Sequence, residues 1–519
     1  MRIAALALVA GCASAHSGQF RDQPIVWRVD DAQPIDEPEE QPFHKYRYYF
    51  NGFVFHRLQN AIDSPKGGRG GRALDTNALD EVPDSTWFEN RIGLHPIDAA
   101  AITRGAGLQP PPTLPLTIVN AKTEGGNPGF FAKDAAGIRY LIKFDTTPNP
   151  EQQSAGDVIV NRLFWAAGYH VPSDHVFYFR RSDLKIGPKM VGKLSESDVD
   201  KLMTGAAHRG DEIRALASAF LPGKPKGGWP ILGTRASDRN DTIPHEFRRE
   251  LRALRVFAAW LGHTDLKPDN TLDMYVDEDG KKFLRHYLVD FGEALGGHQS
   301  EKNLREVGFE HGWDWAAQSF GFITFGLWVR NWEHQEPTPF PAVGFFAAAR
   351  FEPDHWRERY PYEPFRYMDA ADSYWAAKII MRFERTHLEA VVAESKLSDP
   401  AAGAFLVETL WQRRLKVGAT YLDRVTPFDQ LAIEGTRLCG TDLSLRYGVA
   451  TTGTVEARDG DNAAFSYPAN AAHRTCIPLA TDGSYHILRV QIRRGETYTP
   501  TAEIHYRSGA APRILGVVR

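Results

Sequence analysis

The sequence predicts an α+β protein in which a mixed domain is followed by a small all-β, sandwich-like domain. Three observations predict it. Segments rich in β-branched residues at 116–122 and 139–145 are followed at 157–172 by apolar residues at helical spacing. Long helical patterns at 244–263, 365–394 and 400–425 accompany a hairpin signal at 277–280. Beyond Thr426-Pro427 the helical spacing stops, and LSLRYGV, HILRVQIRR and AEIHYRS alternate apolar and polar residues between glycine or aspartate turns. At 519 residues the chain exceeds a single compact domain.

The start of the chain addresses it. Arg2 is a lone charge, Ile3 to Ala10 form a short apolar run, and Val9-Ala10-Gly11-Cys12 is a small-residue box ending in cysteine. The run is too short to span a bilayer and has the order of an export signal. It resembles a bacterial lipoprotein signal, which implies that 1–12 is signal and lipidation site, with Cys12 acylated and the protein held at the cell envelope. Residues 13–40 are polar and acidic, as in a tether. Residues 41–115, with the aromatic KYRYYFNGFVFHRL and the run GGRGGR at 67–72, are read as an arm packed on the next domain.

The domain at 116–425 opens with the strand LTIVNAK. A glycine-bearing hairpin loop follows at 124–137, and then the strand RYLIKFD presents Lys143. Glycines let backbone N–H groups approach phosphate oxygens, which makes Gly125, Gly126 and Gly129 candidates for a phosphate loop. Leu141, Ile142 and Phe144 argue for a buried Lys143. Its carboxylate partner is sought on the following helix, Asp157 being preferred over Glu151. Gly168 and Pro172 end that helix.

In PHEFRRELRALRVFAAWLGH (244–263), Leu251, Leu254, Ala258 and Leu261 share one face, as in a central buried helix. The helix delivers HTDLKPDN (263–270), and LDMYV and FLRHYLV then flank the turn DEDG before VDFG at 289–292. Asp265, Lys267 and Asn270 thus come close to Asp290. His263 is read as packed under the loop and bonded to its backbone, and Asp273 and Asp277 as strand and turn surface. Phosphoryl transfer needs a carboxylate to orient the attacking hydroxyl. It also needs an amide oxygen and a second carboxylate to hold Mg²⁺.

The order glycine loop, Lys143, helix acid, H-x-D-L-K-P-x-N, hairpin and D-F-G resembles the protein-kinase-like superfamily. It is closest to the atypical branch of HipA-type, spore-coat CotH and secreted Fam20-type kinases, and G-Y-H-V-P at 168–172 is similar to a helix end in that branch. The resemblance covers roughly 116–425. It implies a two-lobed kinase-like domain using ATP and Mg²⁺. Asp265 would be the base and Lys267 would neutralise the transferring phosphate. Asn270 and Asp290 would be metal ligands, and Lys143 the nucleotide-phosphate lysine. Thr264 stands where the branch usually has arginine, and no A-P-E element follows D-F-G, so the resemblance implies nothing about loop phosphorylation or peptide recognition.

After Gly297 the chain is expected to turn to aromatic-rich helices, with Arg413-Arg414 on a solvated face. Residues 428–519 form the β-sandwich-like domain, and Cys439 and Cys476, the pair left beside Cys12, are expected to form a disulfide stabilising it by about 4 kcal/mol. A net charge of -4 argues against nucleic acid as a partner. No later apolar run approaches membrane-helix length. The leading reading is an envelope-anchored, ATP/Mg²⁺-dependent phosphotransferase acting on a protein or small-molecule hydroxyl. A non-catalytic scaffold on a degenerate kinase fold and a nucleotidyl transferase are the alternatives.

Overall fold

The β-branched segments that open the central domain become β1 (Leu116–Ala121) and β3 (Arg139–Phe144) of a seven-stranded sheet. The computed structural model describes residues 19–55, 71–122, 127–190, 193–298, 304–460 and 462–519. Its secondary structure is mixed α and β. The chain divides into two compact units: residues 28–75 with 82–421, and the residues up to 27 with 76–81 and 422–519.

In the larger unit, β2 (Gly129–Lys133) lies between β1 and β3. The sheet is completed by β4 (Asp174–Phe179), β5 (Leu184–Ile186), β6 (His208–Arg209) and β7 (Glu212–Ala219), in the order β4-β7-β3-β2-β1-β5 with β6 on β7. The stretch 124–137, expected as one loop, therefore contains a strand whose Phe130 and Ala132 enter the core. Gly129 belongs to that strand, directly across from Lys143. A Cβ there would lie 2.2 Å from the carbonyl oxygen of Ile142, so close strand packing, and not a phosphate loop, demands this glycine. Gly125, Gly126 and Cys12 lie outside the described residues.

Alternation sorts β3 into two faces. Tyr140, Ile142 and Phe144 join Ile118 and Phe130 in a core covered by Val199 and Met203 of the helix Glu196–Met203. Lys143 turns to the other face, where Leu216 and Val176 pack against Val158 of the helix Gln152–Ala167. That helix starts ahead of the expected 157, because Gln152, Gln153 and Ser154 are buried despite their polarity.

The second helix predicted with a single apolar face, Arg249–Leu261, is buried all round. Its arginines are neutralised in place: Arg249 and Arg252 pair with Asp372 at 3.0 and 3.3 Å, and Arg255 donates to the carbonyls of Asp354 and Trp356. Arg413 and Arg414, expected on a solvated face, are also buried. Arg413 donates to the carbonyls of Ala259 and Trp260 and stacks 3.7 Å from the Phe351 ring centre, placing a guanidinium on the carbonyl end of a helix.

Beyond the helix, β8 (Lys224–Pro225), β9 (Thr271–Glu278) and β10 (Lys281–Leu288) form a three-stranded sheet. Asp279 and Gly280, both at positive φ, make the hairpin turn read from the sequence. Residues 28–40, expected as a tether, are laid along this sheet: Ile35 N donates to the carbonyl of Lys282 and Glu37 pairs with Lys224 and Lys226. Asp273 is not at the surface. It is fully buried between Arg235 and His286, each at 2.7 Å. The aromatic-rich stretch 304–362 carries one α-helix among its described residues, Trp315–Ile323, and is otherwise largely irregular. The helices Ala370–Ile380, Arg385–Glu394 and Pro400–Tyr421 complete the unit.

The other unit holds a three-stranded sheet of β11 (Phe428–Glu434), β12 (Arg437–Asp442) and β15 (Arg474–Pro478). A six-stranded sheet contains β13 (Thr454–Asp459), β14 (Phe465–Pro468), β16 (Tyr485–Arg494), β17 (Thr497–Tyr498), β18 (Ala502–Arg507) and β19 (Arg513–Val518). Phe428, Leu438 and Ile477 of the first share one core with Val455, Val490 and Ile504 of the second. One short helix, Leu443–Arg446, interrupts the strands. Cys439 and Cys476, directly opposite each other on β12 and β15, form a disulfide.

Candidate active site

Gly262, in the left-handed region at φ 61, ends the central helix and releases the loop 263–270. The turn Pro268–Asn270 closes the loop against β9, and Val289 N donates to the carbonyl of Asn270 at 3.1 Å. The hairpin thereby returns Asp290 beside Asn270, as the strand lengths in the sequence required. Asp290 itself has φ 63. This is a conformation few non-glycine residues adopt and aspartate tolerates better than most, and it costs on the order of 1 kcal/mol.

Lys143 Nζ lies 2.8 Å from Asp290 Oδ1, with the lysine buried and the aspartate side chain 49 % exposed. Burial works against the lysine's charge, but Asp290 and Asp157 outweigh it and hold its pKa above the ordinary lysine value. Burial likewise works to raise Asp290, and Lys143 outweighs it, so Asp290 stays below the usual carboxylate range.

Asp157, preferred from sequence as the lysine's partner, occupies a second position. Its Oδ2 accepts from Phe291 N at 3.2 Å, which ties the helix to the D-F-G segment. Burial first, and then the neighbouring Asp174, push Asp157 well above the usual range. Asp174 is anchored by Asn161, whose Nδ2 donates at 2.8 Å. Glu151 is elsewhere: it accepts from Ser398 N and Oγ, both at 3.0 Å.

On the loop, Lys267 Nζ donates to both oxygens of Asp265 at 2.8 and 2.7 Å. Asn270 Nδ2 donates to Asp265 Oδ2 at 2.8 Å and to its carbonyl. Burial works to lower the pKa of Lys267, but Asp265 raises it on balance. His263 is buried between Phe164 and Phe291, and burial depresses its pKa while the backbone of Glu293 hydrogen-bonds it. It is a neutral packing group at pH 7.

Two acids were missed from sequence. Asp174 starts β4, far along the chain from Lys143, and carries no local signal. Glu293 directly follows D-F-G and could have been noticed there. Burial, and then Asp265, push its pKa up to about 8. Arg359 and His298 stand 3.7 and 3.8 Å from its carboxyl.

Lys143, Asp157, Asp290, Gly292, Asn127 and Gln153 line one cavity of about 10 Å³, room for about one water. A group larger than a water has access only from the exposed side of Asp290. Asn127 Oδ1 is buried in this lining with no hydrogen-bond donor among the described residues. An aspartate oxygen set beside amide oxygens is the donor chemistry that suits a hard divalent cation.

No protein-family model and no curated protein matches the chain. Among solved structures it is similar to the Golgi casein kinase, with 11% identity over 76% of this chain and 95% of that one at a TM-score of 0.31. It is also similar to the Golgi casein kinase with Mn/ADP bound, with 12% identity over 75% and 93% at a TM-score of 0.30. At such TM-scores the likeness is loose and assigns no fold.

Proposed function

We propose that the chain is an envelope-anchored phosphotransferase of the two-lobed, kinase-like type, transferring the terminal phosphoryl group of ATP to a hydroxyl acceptor. Its anchor would be lipid on Cys12. The observation that carries this reading is the Lys143–Asp290 pair at 2.8 Å, next to a loop that presents Asp265, Lys267 and Asn270. A structural ion pair alone would need none of the loop residues.

In this reading Lys143 would pair with the nucleotide phosphates in place of Asp290, and Asp290 and Asn270 would hold the metal. Mg²⁺, when bound, supplies neutralisation of the phosphate charge. Asp265 accepts the proton of the acceptor hydroxyl as the new O–P bond forms and the bond to ADP breaks. Lys267, at both oxygens of Asp265, is placed to follow the charge onto the transferring group. Asp157 holds the helix to Phe291 and stands behind Lys143.

The test is Mg²⁺-dependent ATP binding by wild type, Lys143→Ala and Asp290→Ala, followed by phosphate incorporation for Asp265→Ala. Binding by wild type and not by the first two, with transfer lost in the third, supports the reading. An absence of binding throughout returns the scaffold alternative, and incorporation of AMP in place of phosphate returns nucleotidyl transfer.

A further inference from the structure

Between Trp315 and Val329 the chain has no Asp, Glu, Lys, Arg or His. Among the described residues this stretch is the most exposed apolar surface of its unit. At its tip Phe322, Ile323, Phe325 and Leu327 are 83, 69, 92 and 85% exposed. Behind them Trp313, Trp315 and Trp328 are half-buried. Soluble surfaces seldom expose so continuous an apolar patch without a partner.

The tip is built, not frayed. Phe325 and Gly326 take φ 51 and 77, and a bulky residue at positive φ is strained. Gly326 N donates to the carbonyl of Gly321 at 2.9 Å, and Leu327 N to that of Thr324 at 3.0 Å. Thr324, the one polar side chain from Phe320 to Val329, donates inward to the carbonyl of Phe320 at 2.8 Å. Backbone strain is thus spent on holding apolar side chains outward.

We propose that this projection, residues 313–329, inserts into the interfacial layer of a lipid bilayer, as a second membrane contact beside an acyl anchor on Cys12. Three features favour lipid over a protein partner. The surface is a projecting tip and not a groove, so it has no walls to receive a complementary side chain. Its outer part, Phe320 to Val329, carries no amide, carboxyl or cationic side chain, and its one hydroxyl donates inward, whereas protein interfaces carry about one hydrogen bond per 100–200 Å². Its Phe, Ile and Leu lie outermost with Trp behind, the order in which these residues partition through acyl and headgroup layers. At about 15 residues and with a helix of 9, the segment is too short to span. Trp315 Nε1 donates to the carbonyl of Phe53 at 2.9 Å, joining the projection to a segment whose helix Lys45–Phe50 exposes Tyr46, Phe50 and the cations Lys45 and Arg47. Those cations suit anionic headgroups.

The proposal is independent of phosphotransfer, and its test reads no activity. The chain from Cys12 onward, carrying Cys12→Ser so that no acyl chain is attached, is mixed with vesicles of phosphatidylethanolamine and phosphatidylglycerol. Sedimentation is compared with the same chain carrying Phe322→Ser, Phe325→Ser and Leu327→Ser. The expected result is that the parent sediments with vesicles and the triple variant partitions at least about tenfold less. Phe465→Ser, a change at an exposed phenylalanine of the other unit, leaves partition unchanged. Brominated lipids quench tryptophan fluorescence of the parent, a readout that needs no variant to fold. Equal partition of parent and triple variant, or no quenching, overturns the proposal. So does a parent that dimerises without lipid through these residues, which would make a second copy the occupant.

Discussion

Lys143 on β3 and Asp290 beyond β10 meet at 2.8 Å, closing an ion pair between one buried and one half-exposed partner. Because Asp290 reaches solvent, the pair adds little to stability, within the range of about 0–1 kcal/mol for exposed pairs. Lys143→Met is therefore expected to melt within a few degrees of wild type while nucleotide affinity falls about 100-fold or more. Calorimetry and equilibrium binding on the same preparation check both halves.

The raised pKa of buried Asp157, set beside Asp174, makes a separate prediction. Asp157→Asn keeps a donor toward Asp174 and an acceptor for Phe291 N, so it folds with nearly wild-type stability. Asp157→Ala leaves buried groups without partners and destabilises by about 1–3 kcal/mol. Denaturant titration compares the two. Infrared spectra of wild type at neutral pH are expected to show a protonated carboxyl band that Asp157→Asn removes.

Glu293 sets a pH dependence whose sign can be worked out. Its pKa is about 8 in the folded chain against an ordinary 4.5. Between those values the folded state holds a proton that the unfolded state has released, so stability is highest below pH 4.5 and declines as pH rises toward 8. Glu293→Gln mimics the protonated form. It is expected to leave the melting temperature unchanged near pH 4 and to raise it at pH 8, by the equivalent of about 1–3 kcal/mol.

Arg413 covers the carbonyl end of the central helix from within the core. Arg413→Met keeps much of the packing on Phe346 and Phe351 but strips the donors from Ala259 and Trp260. A loss of about 2–4 kcal/mol is expected by chemical denaturation.

Reduction of the Cys439–Cys476 bond is expected to lower the stability of the β-rich unit by about 2–4 kcal/mol. Limited proteolysis under reducing conditions should cut within 422–519 first, leaving 82–421 intact.

What could be read in advance was local. The central helix, the loop 263–270, the hairpin turn at Asp279-Gly280 and the D-F-G segment are contiguous patterns, so their order already implied that Asn270 and Asp290 meet. The strand holding Lys143 was visible for the same reason. Pairings between distant segments were not. Asp174 completing Asp157, Arg235 neutralising Asp273, and Arg413 reaching back to Ala259 are satisfied charges that look like surface until the partner is placed. The glycines show the converse error: Gly129 looked like a phosphate-loop residue because close strand approach and close ligand approach both demand the absence of a Cβ. Residues 28–40 looked like a tether because their acids and prolines lack a periodic apolar face, yet single anchors such as Glu37 hold them down.

The left-handed turn at position 290 has an evolutionary corollary. Asparagine and glycine enter that region of backbone space readily, whereas valine or isoleucine would resist it. A descendant could therefore exchange this carboxylate for an amide or a hydrogen and keep its shape while giving up turnover. On the proposed phosphotransfer, a survey of natural variants at this one codon would separate lineages that work on a substrate from lineages that merely hold one.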